Sequence, residues 1–216
     1  MGLRIIAGAF AMAAALGGPV SAGQVAFSGW TEQRFRLFSK VDFRQGGATL
    51  GFTSNGAASL IWQRVARGDW GARAASWRWA VSQSVPPTDL TRKGGDDRNA
   101  ALYFVFLPAG VAEANAGSSN IRKLLANSDA RVLVYVWGGA HQRGALLSSP
   151  YLGPRGKTIV LRGAGTGAFS ETVDLARDYG TAFGGAPGAL VGVAVSADSD
   201  DTDTALAGQI SGLSLR

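Results

Sequence analysis

The residues best suited to chemistry lie in one polar loop, Thr88–Arg98, between two apolar segments. Acidic and basic residues are closely mixed there, which suits either a polar ligand such as a saccharide or ion pairs that fix the loop. Adjacent carboxylates could also supply oxygen ligands to a hard cation. The sequence leaves these alternatives open, and the ligand-binding candidates of the loop are Asp89, Lys93, Asp96 and Asp97.

A second acidic segment, Asp198–Thr204, reads DSDDTDT. Carboxylates this close repel each other unless water or a bound cation screens them. The segment is not an EF-hand, because Asp203 stands at the sixth position and Gln209 at the twelfth, where that loop has Gly and Glu. We expect a solvated, exposed turn, with a structural calcium ion bound by Asp198 and Asp200 as the alternative.

Two further patterns are interpreted as ordinary loops. The string Gly163-x-Gly165-x-x-Ala168 matches a dinucleotide fingerprint, but too few residues follow it to complete a doubly wound sheet. The single histidine, His141, lies in a glycine-flanked loop. No G-x-S-x-G elbow is present to supply a serine nucleophile, so we predict that this histidine is polar surface.

Six tryptophans could bind sugars, because a flat indole stacks on the apolar face of a pyranose. Trp77 and Trp79 alternate with polar residues, so we predict that both lie in the core. Trp30, Trp70 and Trp137 stand at loop or strand ends and are the better candidates for a ligand platform, with a position in the core as the slightly favoured alternative.

The polar loop is flanked by two predicted strands, Ala75–Val81 and Ala100–Phe106. The second strand is apolar at consecutive positions, which is typical of strands covered on both faces. Other such runs are Val132–Trp137, Ile159–Leu161 and Leu190–Val195.

Alternating or turn-bounded segments predict further antiparallel strands with tight turns, and Ser54-Asn55-Gly56 is typical of a hairpin. Capping residues and helical spacing predict short helices at Ser118–Ala126 and at Ser170–Phe183, where Ser170 is the expected N-cap. The fold class predicted is a single antiparallel β-sandwich of jelly-roll type with one or two short helices in connecting loops. The remaining predicted strands are Gln24–Trp30, Arg34–Phe43, Ala48–Thr53, Ala57–Val65 and Ala205–Leu215, the last with a bulge near Gly212.

Residues 1–22 have the layout of a secretory signal peptide: Arg4, a short apolar run, helix breakers and small residues before Gly23. We expect cleavage after Ala22 and a periplasmic or secreted protein formed by one domain, residues 23–216. The chain has no cysteine, so packing rather than disulfides must stabilise it.

The 21 basic and 15 acidic residues are scattered rather than clustered. A nucleic-acid interface would need a basic face, so no nucleic-acid partner is expected. After residue 22 no apolar stretch is long enough for a transmembrane helix, so no membrane span is expected in the cleaved protein.

The chain resembles DUF3047, a family of exported bacterial proteins of unknown function. The matching pieces begin with WRWAV (77–81) and DLTRKGGDD (89–97), and the resemblance implies the extent of the domain but no activity. Arg162, within IVLRG (159–163), is added to the ligand-binding candidates. A looser, fold-level similarity to jelly-roll carbohydrate-binding modules includes the closing strand. The other pieces that match DUF3047 are VYVW (134–137), VDLARDYGTAFG (173–184) and VAVSADSDDT (193–202).

Three functions remain open, and the leading one is an envelope-associated, non-catalytic binding module for a saccharide or other polar ligand. A glycan hydrolase or lyase would need two carboxylates converging in one cleft, at the separations typical of glycosidases. A scaffold protein would need a large apolar surface patch. The sequence therefore does not decide whether the protein is an enzyme, although a non-catalytic role is favoured.

Overall fold

The computed structural model describes residues 23–34, 40–118 and 120–216. The predicted signal peptide and the middle of the predicted strand Arg34–Phe43 lie outside these residues. The described strands form two sheets. The larger sheet has the order β1 (Thr31–Arg34), β4 (Ala58–Arg64), β11 (Ala189–Asp198), β6 (Arg98–Leu107), β7 (Arg131–Trp137), β9 (Gly153–Arg162) and β8 (Leu146–Ser149). The smaller sheet has the order β10 (Gly167–Asp174), β5 (Ala74–Gln83), β12 (Ala205–Leu215), β3 (Thr49–Asn55) and β2 (Asp42–Gly46).

All neighbouring strands run antiparallel except β7 and β9, which are parallel. Three short helices, α1 (Ala109–Ala114), α2 (Ile121–Ala126) and α3 (Leu175–Phe183), accompany the two sheets. This confirms the predicted mainly-β sandwich of jelly-roll type.

The main core lies between the two sheets. Trp77 and Trp79 of β5 are both 2% exposed, as their alternation with polar residues predicted. Their rings meet edge to face at 5.4 Å between centroids, and Trp77 also approaches Phe104 and Tyr135 of the larger sheet. Aromatic side chains thus bind the two sheets together, which supplies the packing that a chain without disulfides needs.

A second apolar cluster covers the outer face of the larger sheet. Val132 and Val134 of β7 and Val105 of β6 belong to it, together with Ile121 and Leu124 of α2. The central strands are therefore buried on both faces, which explains why they are apolar at consecutive positions.

Two local predictions were wrong. Ser54-Asn55-Gly56 does not close a hairpin, because β3 and β4 belong to different sheets. The turn instead connects a strand of one sheet to a strand of the other. The Ser199 hydroxyl stabilises it, since this hydroxyl lies 3.0 Å from Ser54 Oγ and accepts the Ala57 N–H. The segment Gln24–Trp30 forms only isolated bridges, at Gln24 and Phe27.

The predicted helix Ser170–Phe183 also needs correction in its first half. Residues up to Asp174 form β10, which pairs with β5 through its whole length. The helix begins only at Leu175, and Asp174 rather than Ser170 is its N-cap, accepting the Arg177 N–H at 2.9 Å. Pairing with the tryptophan-rich β5 at the edge of the sheet makes these residues a strand, although their local spacing favours a helix.

At the N-terminal side, β1 and β2 flank the residues 35–39 that are not described, and they belong to different sheets. Among the described residues, no helix is long and apolar enough to cross a membrane.

The closing strand β12 has the predicted bounds, and its register with β5 shifts between Ser211 and Ser214, around Gly212.

Candidate functional site

The two acidic segments of the sequence meet in space. Arg98 is the first residue of β6 and Asp198 the last of β11, and these antiparallel neighbours pair directly with each other. The loop before β6 and the turn after β11 therefore leave the sheet at the same edge. Sequence separation of a hundred residues concealed this contact.

A bulge in β6 turns Arg98 to the outer face of the larger sheet. Ser196 pairs with Ala101 and Asp198 with Arg98, so a step of two residues in β11 faces a step of three in β6. Without the extra residue, alternation would place Arg98 on the same face as Ala100, towards the main core. The bulge puts the guanidinium beside the outward-facing Tyr103.

Arg98 is the centre of a buried ionic network. Its Nη1 lies 2.8 Å from Asp96 Oδ2 and 3.1 Å from Asp198 Oδ2. Its Nη2 donates to the hydroxyl of Tyr103, which lies 3.0 Å from Ser196 Oγ. The other oxygen of Asp96 accepts the hydroxyl of Tyr151 at 2.8 Å. Because both Asp side chains and Arg98 are at most 10% exposed, these contacts are shielded from water.

Burial and charge perturb the titration of this network. Burial raises the pKa of Asp198 to about 8, with the neighbouring carboxylates of Asp97 and Asp200 adding to the effect and Arg98 opposing it. Burial lowers the pKa of Arg98, but Tyr103 and the two carboxylates outweigh it, so the net shift is upward and the guanidinium stays charged.

Oδ1 of Asp198 is buried and has no hydrogen-bond partner among the described residues. Buried polar atoms normally have such a partner, so this oxygen is an open position for an atom of a ligand.

Asp97 holds the acidic turn in place. It is fully buried, and its two carboxylate oxygens accept the backbone N–H groups of Asp201 and Thr202, at 3.2 and 2.7 Å, and the Thr202 hydroxyl. The turn was expected to be exposed and solvated, and this is wrong for Asp198, which is 7% exposed. The carboxylate supplied by the other loop satisfies the turn's backbone, so the turn can fold against the sheet edge.

The network forms one end of a cavity of about 610 Å³ on the outer face of the larger sheet. Most of the wall is aliphatic and comes from β4, β6, β7 and β11, with α2 and the segment around Tyr151 at the sides. The charged side chains are confined to one end, which we call the polar end. It consists of Lys93, Asp96, Arg98, Asp198, Asp200 and Asp201.

Three carboxylates of this region have the spacing of a cation site. One ligand atom from each of Asp97, Asp198 and Asp200 lies within 4.8 Å of the others. Oxygens on opposite sides of a calcium ion at about 2.4 Å would stand about 4.8 Å apart. The set adds Asp97 to the two predicted ligands.

The other predicted site residues lie in different surroundings. Asp89 is outside the cavity wall, where it accepts the N–H and hydroxyl of Thr91 and lies 3.2 Å from Nε2 of His141. The hydrogen bond from Thr91 is the main reason that the pKa of Asp89 is lowered. Lys93 lies over the ring of Tyr151, with Nζ 5.6 Å from its centroid, at the polar end.

Trp137 lies in the main core and Arg162 is half-buried near it, and neither lines the cavity. Trp137 is 1% exposed and packs edge to face against Trp79 and Phe169, so it has no free face for a sugar. Arg162 pairs with the buried Glu171 at 2.8 Å and stacks over Phe169. The predicted ligand platform at Trp137 is wrong, because Phe169 of β10 covers the ring and the sequence does not show this contact.

Sequence reasoning missed Tyr103 and Tyr151, and it included Arg98 only among the charged residues of the polar loop that could bind a sugar or pair with one another. Tyr103 interrupts the otherwise apolar segment ALYFVF at an outward position. A polar hydroxyl within a doubly buried strand was the available signal. Tyr151, 56% exposed in a loop, offered none.

These features define a class of protein: a two-sheet β-sandwich with a mostly aliphatic cavity on one outer face, closed at one end by a buried ionic network. The chain belongs to the DUF3047 family, a protein family of unknown function whose model matches residues 28–213. No curated protein matches the chain.

Two solved structures are similar in overall arrangement. One is the xyloglucanase domain of NopAA, a type three effector from Sinorhizobium fredii, in complex with cellobiose, with 8% identity, a TM-score of 0.48, and coverage of 92% of this chain and 99% of that one. The other is an endo-1,4-β-xylanase from Trichoderma reesei, with 10% identity, a TM-score of 0.38, and coverage of 86% and 97%.

Proposed function

We propose that this protein is an exported, envelope-associated and non-catalytic binding module whose cavity takes a small ligand with an apolar body and a polar head. The observation that carries the proposal is the division of the cavity into an aliphatic wall and one polar end. Its volume of about 610 Å³ lies in the range of small-molecule sites.

The aliphatic wall favours such a ligand over a free saccharide. A saccharide has hydroxyl groups around its whole edge, and those facing aliphatic side chains would lose their hydrogen bonds to water. A ligand with one polar head can place it against Asp96 and Tyr103 while its apolar part covers Val105 and Val134.

The state of the cavity carboxylates supports binding rather than glycan cleavage. Asp96 and Asp198 both contact the same guanidinium, within 3.1 Å. Acid and base catalysis on a glycosidic bond needs two carboxylates that reach opposite sides of that bond. Two groups held on one arginine are better suited to fixing a ligand's head.

The proposal is tested by titrating the purified protein with the neutral apolar dye N-phenyl-1-naphthylamine and following its fluorescence. We expect saturable binding at one site. Val134→Phe, which adds bulk to the cavity wall, should abolish it, whereas Leu146→Phe, on an exposed side chain outside the cavity, should not.

Circular dichroism checks the fold of each variant, and Leu125→Phe, on the half-buried side of α2, is the second blocking variant if Val134→Phe does not fold. Equal dye binding by the parent and by a folded blocking variant would refute the cavity as the binding site.

A further inference from the structure

We propose that the head group of the ligand is a protonated amine, so that the cavity binds amphiphilic organic cations. This inference rests on the proposed function of the cavity and names the class of ligand that it takes. Three observations at the polar end carry it.

The first observation is the balance of charge. The acidic side chains of the polar end are Asp96, Asp198, Asp200 and Asp201, and the basic ones are Lys93 and Arg98. The acidic side chains still outnumber the basic ones if one of the four carries a proton. Water screens the attraction for a positive charge less at the buried Asp96 and Asp198 than at the exposed Asp201.

The second observation is the position of the arginine charge. The carboxylates of Asp96 and Asp198 both contact Nη1 of Arg98, and Nη2 of Arg98 donates to the hydroxyl of Tyr103. The guanidinium is thus occupied by the protein's own acceptors. An anionic head group would have to compete with two carboxylates that are already in place, so Arg98 is poorly suited to bind one.

The third observation is the open acceptor. Oδ1 of Asp198 is buried in the wall of the cavity and receives no hydrogen bond from a described residue. An ammonium group beside this carboxyl would favour its ionised form, and it could donate the hydrogen bond that Oδ1 does not receive from the protein. A carboxylate or phosphate head has the wrong charge and, when ionised fully, no donor.

The test compares three soluble ligands that share one eight-carbon chain and differ in the head: octylammonium, 1-octanol and octanoate. Each competes with N-phenyl-1-naphthylamine for the purified full protein, at a pH where the amine is protonated. We expect octylammonium to compete at a concentration about tenfold lower than 1-octanol, because a charge-assisted hydrogen bond replaces a neutral one, and octanoate to be the weakest.

Three isosteric variants locate the recognition. Asp200→Asn and Asp201→Asn change carboxyls of the polar end and should reduce the preference for the amine. Asp203→Asn is the matched control, since Asp203 lies on the same turn, is exposed and does not line the cavity. Its backbone has φ 51°, which asparagine also tolerates.

The outcomes are distinct. If octanoate competes as well as octylammonium, or if all three variants keep the same amine preference, the inference is overturned while the cavity remains a binding site. If the dye binds at no saturable site, the proposed function itself fails. A preference for the amine that falls in Asp200→Asn and Asp201→Asn but not in Asp203→Asn establishes the inference.

Discussion

Removal of the Arg98 guanidinium should destabilise the fold more than any other single loss of charge in the network. Arg98→Met keeps a long apolar stem but leaves Asp96 and Asp198 facing each other across a site where neither is more than 10% exposed. Breaking a buried ion pair by removing one partner costs about 3–5 kcal/mol, because the remaining charge has lost its compensation. Asp96 is such a partner, whereas Asp198, with a pKa of about 8, is mostly uncharged near neutrality, so the middle of that range is expected.

The assay is urea unfolding followed by intrinsic tryptophan fluorescence, with thermal unfolding in parallel. For a chain of this size a loss of about 4 kcal/mol lowers the midpoint temperature by roughly 10 °C. Arg44→Met is the matched control, because Arg44 contacts Asp42 at 3.4 Å with side chains 70% and 61% exposed. Exposed pairs contribute at most about 1 kcal/mol, so this variant should stay close to the parent.

A further variant separates the loss of charge compensation from the loss of packing. In Arg98→Met combined with Asp96→Asn and Asp198→Asn, no buried charge remains unpaired at these three positions, so part of the lost stability should return. The reasoning is refuted if Arg98→Met costs no more than Arg44→Met, or if the two Asn substitutions recover nothing.

Four other predictions follow from the same geometry. In the presence of a chelator, the free energy of unfolding should fall as pH rises from about 4 to about 8, because folded Asp198, with a pKa of about 8, keeps a proton that the unfolded chain has released. Urea titrations at a series of pH values measure this dependence, and Asp198→Asn should make it flatter. Parallel profiles for the parent and the variant would contradict the raised pKa. Gly138→Ala should lower the free energy of unfolding by about 1–3 kcal/mol, since φ of Gly138 is +152° and a Cβ there would stand 2.7 Å from Arg98 Cβ. A midpoint temperature of thermal unfolding equal to that of the parent would count against this. Asp97→Asn should weaken the turn at Thr202 and increase backbone hydrogen exchange there, and unchanged exchange would show that the turn does not depend on the carboxylate. Millimolar calcium should raise the midpoint temperature of the parent but not of Asp200→Asn, and the absence of a chelator-reversible shift in the parent would remove the predicted metal site.

The sequence by itself determined most of the strands and the fold class. Alternation around Trp77 and Trp79 and the continuous apolar runs reflect burial on one or both faces of a strand, which is a local property of the pattern. The closing strand Ala205–Leu215 was predicted with the bounds that the structure has. The family resemblance likewise depends on motifs that can be read directly in the chain.

The tertiary structure decided how these elements are joined and what they bring together. The corner at Asn55 and the strand that ends at Asp174 depend on pairing with distant residues, so local turn and helix signals misplaced them. The polar end of the cavity depends on the register of β6 and β11 and on one extra residue in β6. A one-residue change in register moves a side chain to the other face of a sheet, so no property of the loop or the turn alone could place Arg98 between Asp96 and Asp198.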